Sequence, residues 1–176
     1  MTEADILAWH DFFDTVAQVG ATLAGLIFVG LTISLNQILK VDGYLSRAFA
    51  ALFVQFELLI IAIAAIIPGQ PPYLLGLEFV AAGLSMFVAI TLFARRFRED
   101  ETSILGHRRW RAGRLFVTTV ATLSPAVAGV FLIAGCWFAM YFVVPAILAS
   151  GYLSIAYAWV FAVEVPRRQD SSASKG

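Results

Sequence analysis

Phe12 to Leu39 reads FFDTVAQVGATLAGLIFVGLTISLNQIL, 28 residues with no Lys or Arg and one charge, Asp14, near the start. An apolar run of that length reads as a membrane-spanning helix, because about 20 apolar residues already cross the hydrocarbon core. At ~1.5 Å per residue it reaches ~42 Å, beyond the ~30 Å core, so it tilts or its ends protrude.

The polar residues of this helix recur at helical spacing. His10, Asp14, Gln18, Thr22, Gly25, Val29, Thr32 and Asn36 advance by steps of three or four. At about 100° per residue they fall within roughly a 120° stripe. Phe13, Val16, Leu23, Ile27, Leu31 and Ile38 lie opposite. Beside the stripe runs Ala17, Ala21, Gly25, a small-residue ladder that admits another helix backbone. Unpaired amides and hydroxyls cost several kcal/mol in hydrocarbon, roughly, so the stripe is expected to face protein or water. The helix is therefore placed inside the bundle or at a subunit contact. Its polar groups then serve as interhelical glue or line a hydrated path.

Composition agrees with a membrane chain. Sixty per cent of the residues are hydrophobic and 14% charged, too apolar for a soluble domain of 176 residues. The single Cys136 excludes an intramolecular disulfide and reads as a small hydrophobe in an apolar helix. The acidic start MTEADILAWHD and the long first apolar stretch argue against a cleaved signal peptide.

Four further spans follow, at about 47–67, 73–93, 114–138 and 142–163, after the first at about 12–39. Met1–Asp11 reads as a short interfacial turn, with Thr2 as a cap and Trp9, Phe12 and Phe13 in an aromatic belt. Lys40–Ser46 reads as a tight loop with an Asp42-Gly43 turn, and Ser46 as the N-cap of the second span. Pro68–Pro72 breaks the chain again. Ala94–Gly113 is a long charged loop whose arginines suit anionic headgroups and not a nucleic acid. Trp137 and Tyr141 mark the turn between the last two spans. Residues 1–164 form one membrane domain, and 165–176 a polar tail expected to be disordered. The fold class is thus an all-α transmembrane bundle of five helices.

Five spans sort the charges. All 12 Lys and Arg residues fall on one side, in Lys40, Arg47, the 94–113 loop, Arg114 and the tail. The other side carries Glu3, Asp5 and Asp11 with no basic residue. The positive-inside rule then puts the N-terminus outside and the C-terminus in the cytoplasm.

Within the spans, Glu57 is the outstanding group. It lies about 15 Å from either end of its helix at helical rise, at the bilayer midplane, with no basic residue in any span to pair with it. Such an acid is protonated, bound to a cation or reached by water, and an intramembrane carboxyl is a functional candidate by default. Its bland alternative is a neutral acid hydrogen-bonded to Gln18, a Thr or a backbone carbonyl. Gln55 lies about 200° away and reads as part of a packing seam with Ala48, Ala51, Leu58, Ala62 and Ala65. Glu78 shares a small-residue face with Ala82, Ser85 and Ala89 and reads as a close-packing site with a hydrogen bond. Pro125 is expected to kink the fourth span and free the carbonyl of Ala121 among Thr118, Thr119, Thr122 and Ser124. Ser150, Gly151, Ser154 and Tyr157 stand at similar depth on the fifth, and with Glu57 they either surround a hydrated pocket or simply pack.

Catalytic and metal motifs are absent from the sequence. It contains no phosphate-binding Gly loop, H-E-x-x-H, Cys-x-x-Cys or G-x-S-x-G. His10 and Asp14 alone are too few for a metal. No enzyme activity, cofactor or metal is expected. The expected partners are the lipid bilayer and either copies of the chain or another membrane protein. The rival expectation is a proton or cation pathway using Glu57, with Asp14, Gln18, Thr22, Thr32 and Asn36 as its lining and Glu78 as a further polar group.

WHDFF (Trp9–Phe13) followed by GATLAGLIFVGLTISLNQIL (Gly20–Leu39) resembles the first-helix box of small multi-span bacterial membrane proteins. Some of that group are labelled modulators of a membrane-embedded AAA protease. The resemblance implies a multi-pass protein of a bacterial inner membrane and transfers no catalytic or binding residue.

Overall fold

The computed structural model describes residues 3–33, 35, 42–96 and 108–160. They form α1 (Glu3–Ile33), α2 (Asp42–Ala65), α3 (Pro72–Arg96), α4 (Arg108–Ile133), a 3-10 helix (Trp137–Phe142) and α5 (Val143–Trp159). Five segments are long and apolar enough to cross a membrane: Trp9–Ile33, Ala48–Ala65, Pro72–Leu92, Leu115–Ile133 and Phe138–Trp159. Asn36, the rest of the 36–41 connection, residues 97–107 and the tail from 161 lie outside the described residues.

Several boundaries move from their sequence positions. Glu3–Asp11 is not a turn but the first part of α1, which runs unbroken for 31 residues. No proline interrupts it, and isolated glycines weaken a helix without ending it. Likewise α2 starts at Asp42, ahead of Ser46. Asp and Gly favour helix starts as well as turns, so Asp42-Gly43 suited either reading. Helical structure also reaches Arg96 and resumes at Arg108, which shortens the charged loop at both ends.

The largest correction concerns the fourth span, which ends at Ile133 and not near 138. Gly135 takes a φ of +76°. Its N–H donates to Leu132 O at 3.0 Å, and the Cys136 N–H donates to Phe131 O at 2.9 Å. That pair of bonds is the Schellman ending, which needs a left-handed residue where glycine has no Cβ to clash. Cys136 therefore sits in a turn and not in an apolar helix. Phe131 stacks on Phe142 with ring centroids 5.0 Å apart and holds the turn closed. The other loop uses prolines: Pro71 O accepts from Leu74 and Leu75, and Pro72 opens α3 where its missing N–H costs nothing.

The helices pack around two apolar clusters. One contains Phe13, Val16, Leu58, Ile61, Phe79, Leu132 and Val143. The other contains Ile27, Ala48, Ala51, Val54, Ala121, Leu153 and Tyr157. Trp9 meets Tyr141 edge-on at 5.1 Å, which joins the start of α1 to the α4–α5 turn. The tightest helix pair is α3 with α4. A Cβ on Gly76 would fall 2.7 Å from Gly129 O, and one on Gly83 would fall 2.6 Å from Thr122 O. Only glycine lets these backbones come so close.

Candidate functional site

Between the two apolar clusters lies a layer of buried polar side chains. Gln55, Glu57, Thr122, Ser150 and Ser154 are each at most 2% exposed. They come from α2, α4 and α5. Gln55, Glu57, Thr122 and Ser150 fall between residues of the first cluster and residues of the second on their helices, and Ser154 lies one turn further on, among residues of the second. The layer is therefore centred near mid-depth of the spans in α2, α4 and α5.

Gln55 is the hub of this layer. Its Nε2 donates to the carbonyl of Gly20 on α1 at 2.8 Å. A carbonyl can only accept, which fixes the amide orientation and turns Oε1 toward α5. There Ser154 Oγ shares its one proton between Gln55 Oε1 and Ser150 O. One side chain thus ties three helices together. Gly20 makes room for it, since a Cβ there would stand 3.2 Å from Nε2. Ala48, Ala51, Leu58 and Ala62 are buried with it, as the seam reading expects.

Glu57 stands in the same layer with a different environment. It is 1% exposed, and both carboxyl oxygens lack a hydrogen-bond partner among the described residues. Val54, Ile61 and Ala64 on its face are buried as well, so α2 packs on two sides. Ser150 and Ser154 join Gln55 and leave Glu57 aside. A charged acid at a span centre costs roughly 3 kcal/mol on insertion scales, and more when it is sealed from water.

The remaining candidates do not converge on Glu57. Asp14, Gln18, Thr22 and Thr32 are exposed, on the side of α1 that faces away from the bundle. The opposite side, with Phe13, Val16, Gly20 and Ile27, is the buried one. So α1 is not interior to the bundle of this chain. The stripe satisfies itself in part: Gln18 Nε2 donates to Asp14 Oδ2 at 2.9 Å, Thr22 to Gln18 O and Thr32 to Phe28 O. The ladder Ala17, Ala21, Gly25 borders this outward face, and a Cβ on Gly25 would meet nothing within 4 Å. Close approach within the chain uses Gly20 instead.

Glu78 is half-buried and accepts from Gln70 Nε2 at 2.7 Å. Its neighbour Ser85 is exposed, and the packed face of α3 runs through Leu75, Gly76, Phe79, Ala82 and Gly83. Pro125 is buried within a continuous α4 and has no N–H for Ala121 O. The Thr122 hydroxyl donates to Thr118 O at 3.0 Å. Ser124 Oγ donates to Phe142 O across the α4–α5 turn.

Gln55 as the hub and the glycines of the α3–α4 contact escaped the sequence reading. The signal for the glycines is the seven-residue spacing of Gly76 and Gly83, which puts both on one face of α3 beside that of Glu78. Taken together, the described residues are all helical apart from short turns, with five helices long and apolar enough to span a membrane, in keeping with a multi-pass membrane protein. Comparisons with protein-family models, curated proteins and solved structures return no match.

Proposed function

We propose that this protein acts by association within the membrane, through the outward polar face of α1, and has no enzymatic activity of its own. The supporting observation is that Asp14, Gln18, Thr22 and Thr32 point away from the bundle while the apolar face of α1 points into it. Lipid tails are poor company for that face. Gln18 lies two residues from Gly20, so only about 3 Å in height from the polar layer. Its bond to Asp14 uses one amide proton and leaves the amide oxygen to seek a partner. The adjoining ladder of Ala17, Ala21 and Gly25 gives another backbone room to approach. The occupant that fits is a second copy of the chain or another membrane protein. The setting we propose is a bacterial plasma membrane, with the N-terminus outside and the C-terminus cytoplasmic, in line with the side on which all Lys and Arg residues gather. The resemblance of Trp9–Leu39 to small bacterial multi-span proteins agrees with that setting.

Native mass spectrometry of the full chain released from lipid vesicles tests the reading. Dimers or larger species, or a co-purifying membrane protein, are expected. Isolated monomers alone, at the density found in native membranes, would rule it out.

A further inference from the structure

Glu57 lies away from the outward face of α1, and the described residues give it no hydrogen-bond partner. We propose that Glu57 is a proton-binding site: its neutral form fits the closed α2 seam, and loss of the proton opens that seam to water. The proposal rests on three features of the fold. Both carboxyl oxygens are sealed from solvent and unpartnered among the described residues. The group sits in the mid-depth polar layer, with an apolar cluster above and another below. Among the described residues, the elements packed on α2 bring no cation to it: α1 carries Asp14, His10 and Asp11 on its exposed side, and α3 carries Glu78, held by Gln70, exposed Tyr73 and, near its far end, exposed Arg95. On α5 stand Tyr157 and exposed Tyr152, and Leu115–Ile133 of α4 has no titratable group.

The same geometry selects the ligand. A dehydrated metal cation wants about six oxygens converging on it. Glu57 offers two, and the oxygen of Gln55 is turned to Ser154 on another face of the helix. A proton needs one oxygen only. The ionised carboxylate lacks any donor in this packing, so it is stable only if water enters or α2 shifts.

The test uses the full chain in lipid nanodiscs, with infrared spectroscopy of carboxylic-acid carbonyls and hydrogen–deuterium exchange across a pH series. The natural chain is expected to show an acid carbonyl band at neutral pH that Glu57→Gln removes and Glu57→Asp moves. Raising the pH should abolish that band, and at the same pH exchange in α2 should rise about tenfold beyond its intrinsic pH dependence. In Glu57→Gln that rise should be lost. Absence of a Glu57 band at every pH would overturn the proposal. So would a band that survives alkaline pH, or one that titrates while α2 exchange stays unchanged. The titration of the natural chain decides the matter even if the variants fold poorly.

Discussion

Gln55 and Glu57 stand two residues apart on α2, both fully buried, and among the described residues only Gln55 finds hydrogen-bond partners. The two side chains divide the labour of one polar layer. Gln55 fastens α2 to α1 and α5, and Glu57 meets a face that offers it no donor. An amide with two good partners adds stability and register. A carboxyl with none costs stability.

Replacing Gln55 with Leu should destabilise the bundle by about 1–2 kcal/mol, and Ser154→Ala by about half as much, in the range of interhelical hydrogen bonds in membranes. The two losses should be less than additive, because Ser154 serves Gln55. Equilibrium unfolding in mixed micelles, run as a double-mutant cycle, measures this. Strict additivity would show that the Ser154 contact carries no energy.

Gly76→Ala and Gly129→Ala should each cost about 2 kcal/mol or more, since the atom nearest the added methyl is a backbone carbonyl oxygen of the facing helix. Gly25→Ala should leave monomer stability unchanged or raise it by up to about 1 kcal/mol, because its Cβ meets open space and alanine is the better helix former. The same unfolding assay compares all three. An equal effect at the three sites would contradict the close α3–α4 contact.

Topology is open to a direct check. A protease-cleavable tag at the N-terminus should be cut from outside intact bacterial spheroplasts, and one at the C-terminus only after lysis. Changing Lys40 of the first connection and Arg47 near the start of α2 to Gln should weaken this bias without reversing it, because ten of the 12 basic residues remain on that side. Cleavage of the C-terminal tag in intact spheroplasts would refute the orientation.

Span number was legible in the sequence because hydrophobic run length directly measures membrane thickness. The direction of the α1 stripe was not. Periodicity defines a face, but in lipid the rule that polar faces point outward no longer holds, so the spacing alone is compatible with an inward stripe or one at a contact. The end of α4 was written in Gly135, yet the aromatic Trp137 and Tyr141 pulled the expected boundary a few residues on. Glu57 is legible in the sequence, since a charge at mid-span is conspicuous. Gln55 gained its role from Gly20 and Ser154, 35 and 99 residues distant in sequence. No local pattern encodes such a pairing.

Cysteine crosslinking in native membranes tests the central claim about α1 most directly. In a Cys136→Ser background, single cysteines would replace Gln18, Thr22 and Gly25 on the outward face, and Phe13, Val16 and Ile27 on the inward face. Intermolecular crosslinks are predicted at the first set and not at the second, either between copies or to another membrane protein. Crosslinks absent from the outward positions, in protein that folds and inserts normally, would contradict the account.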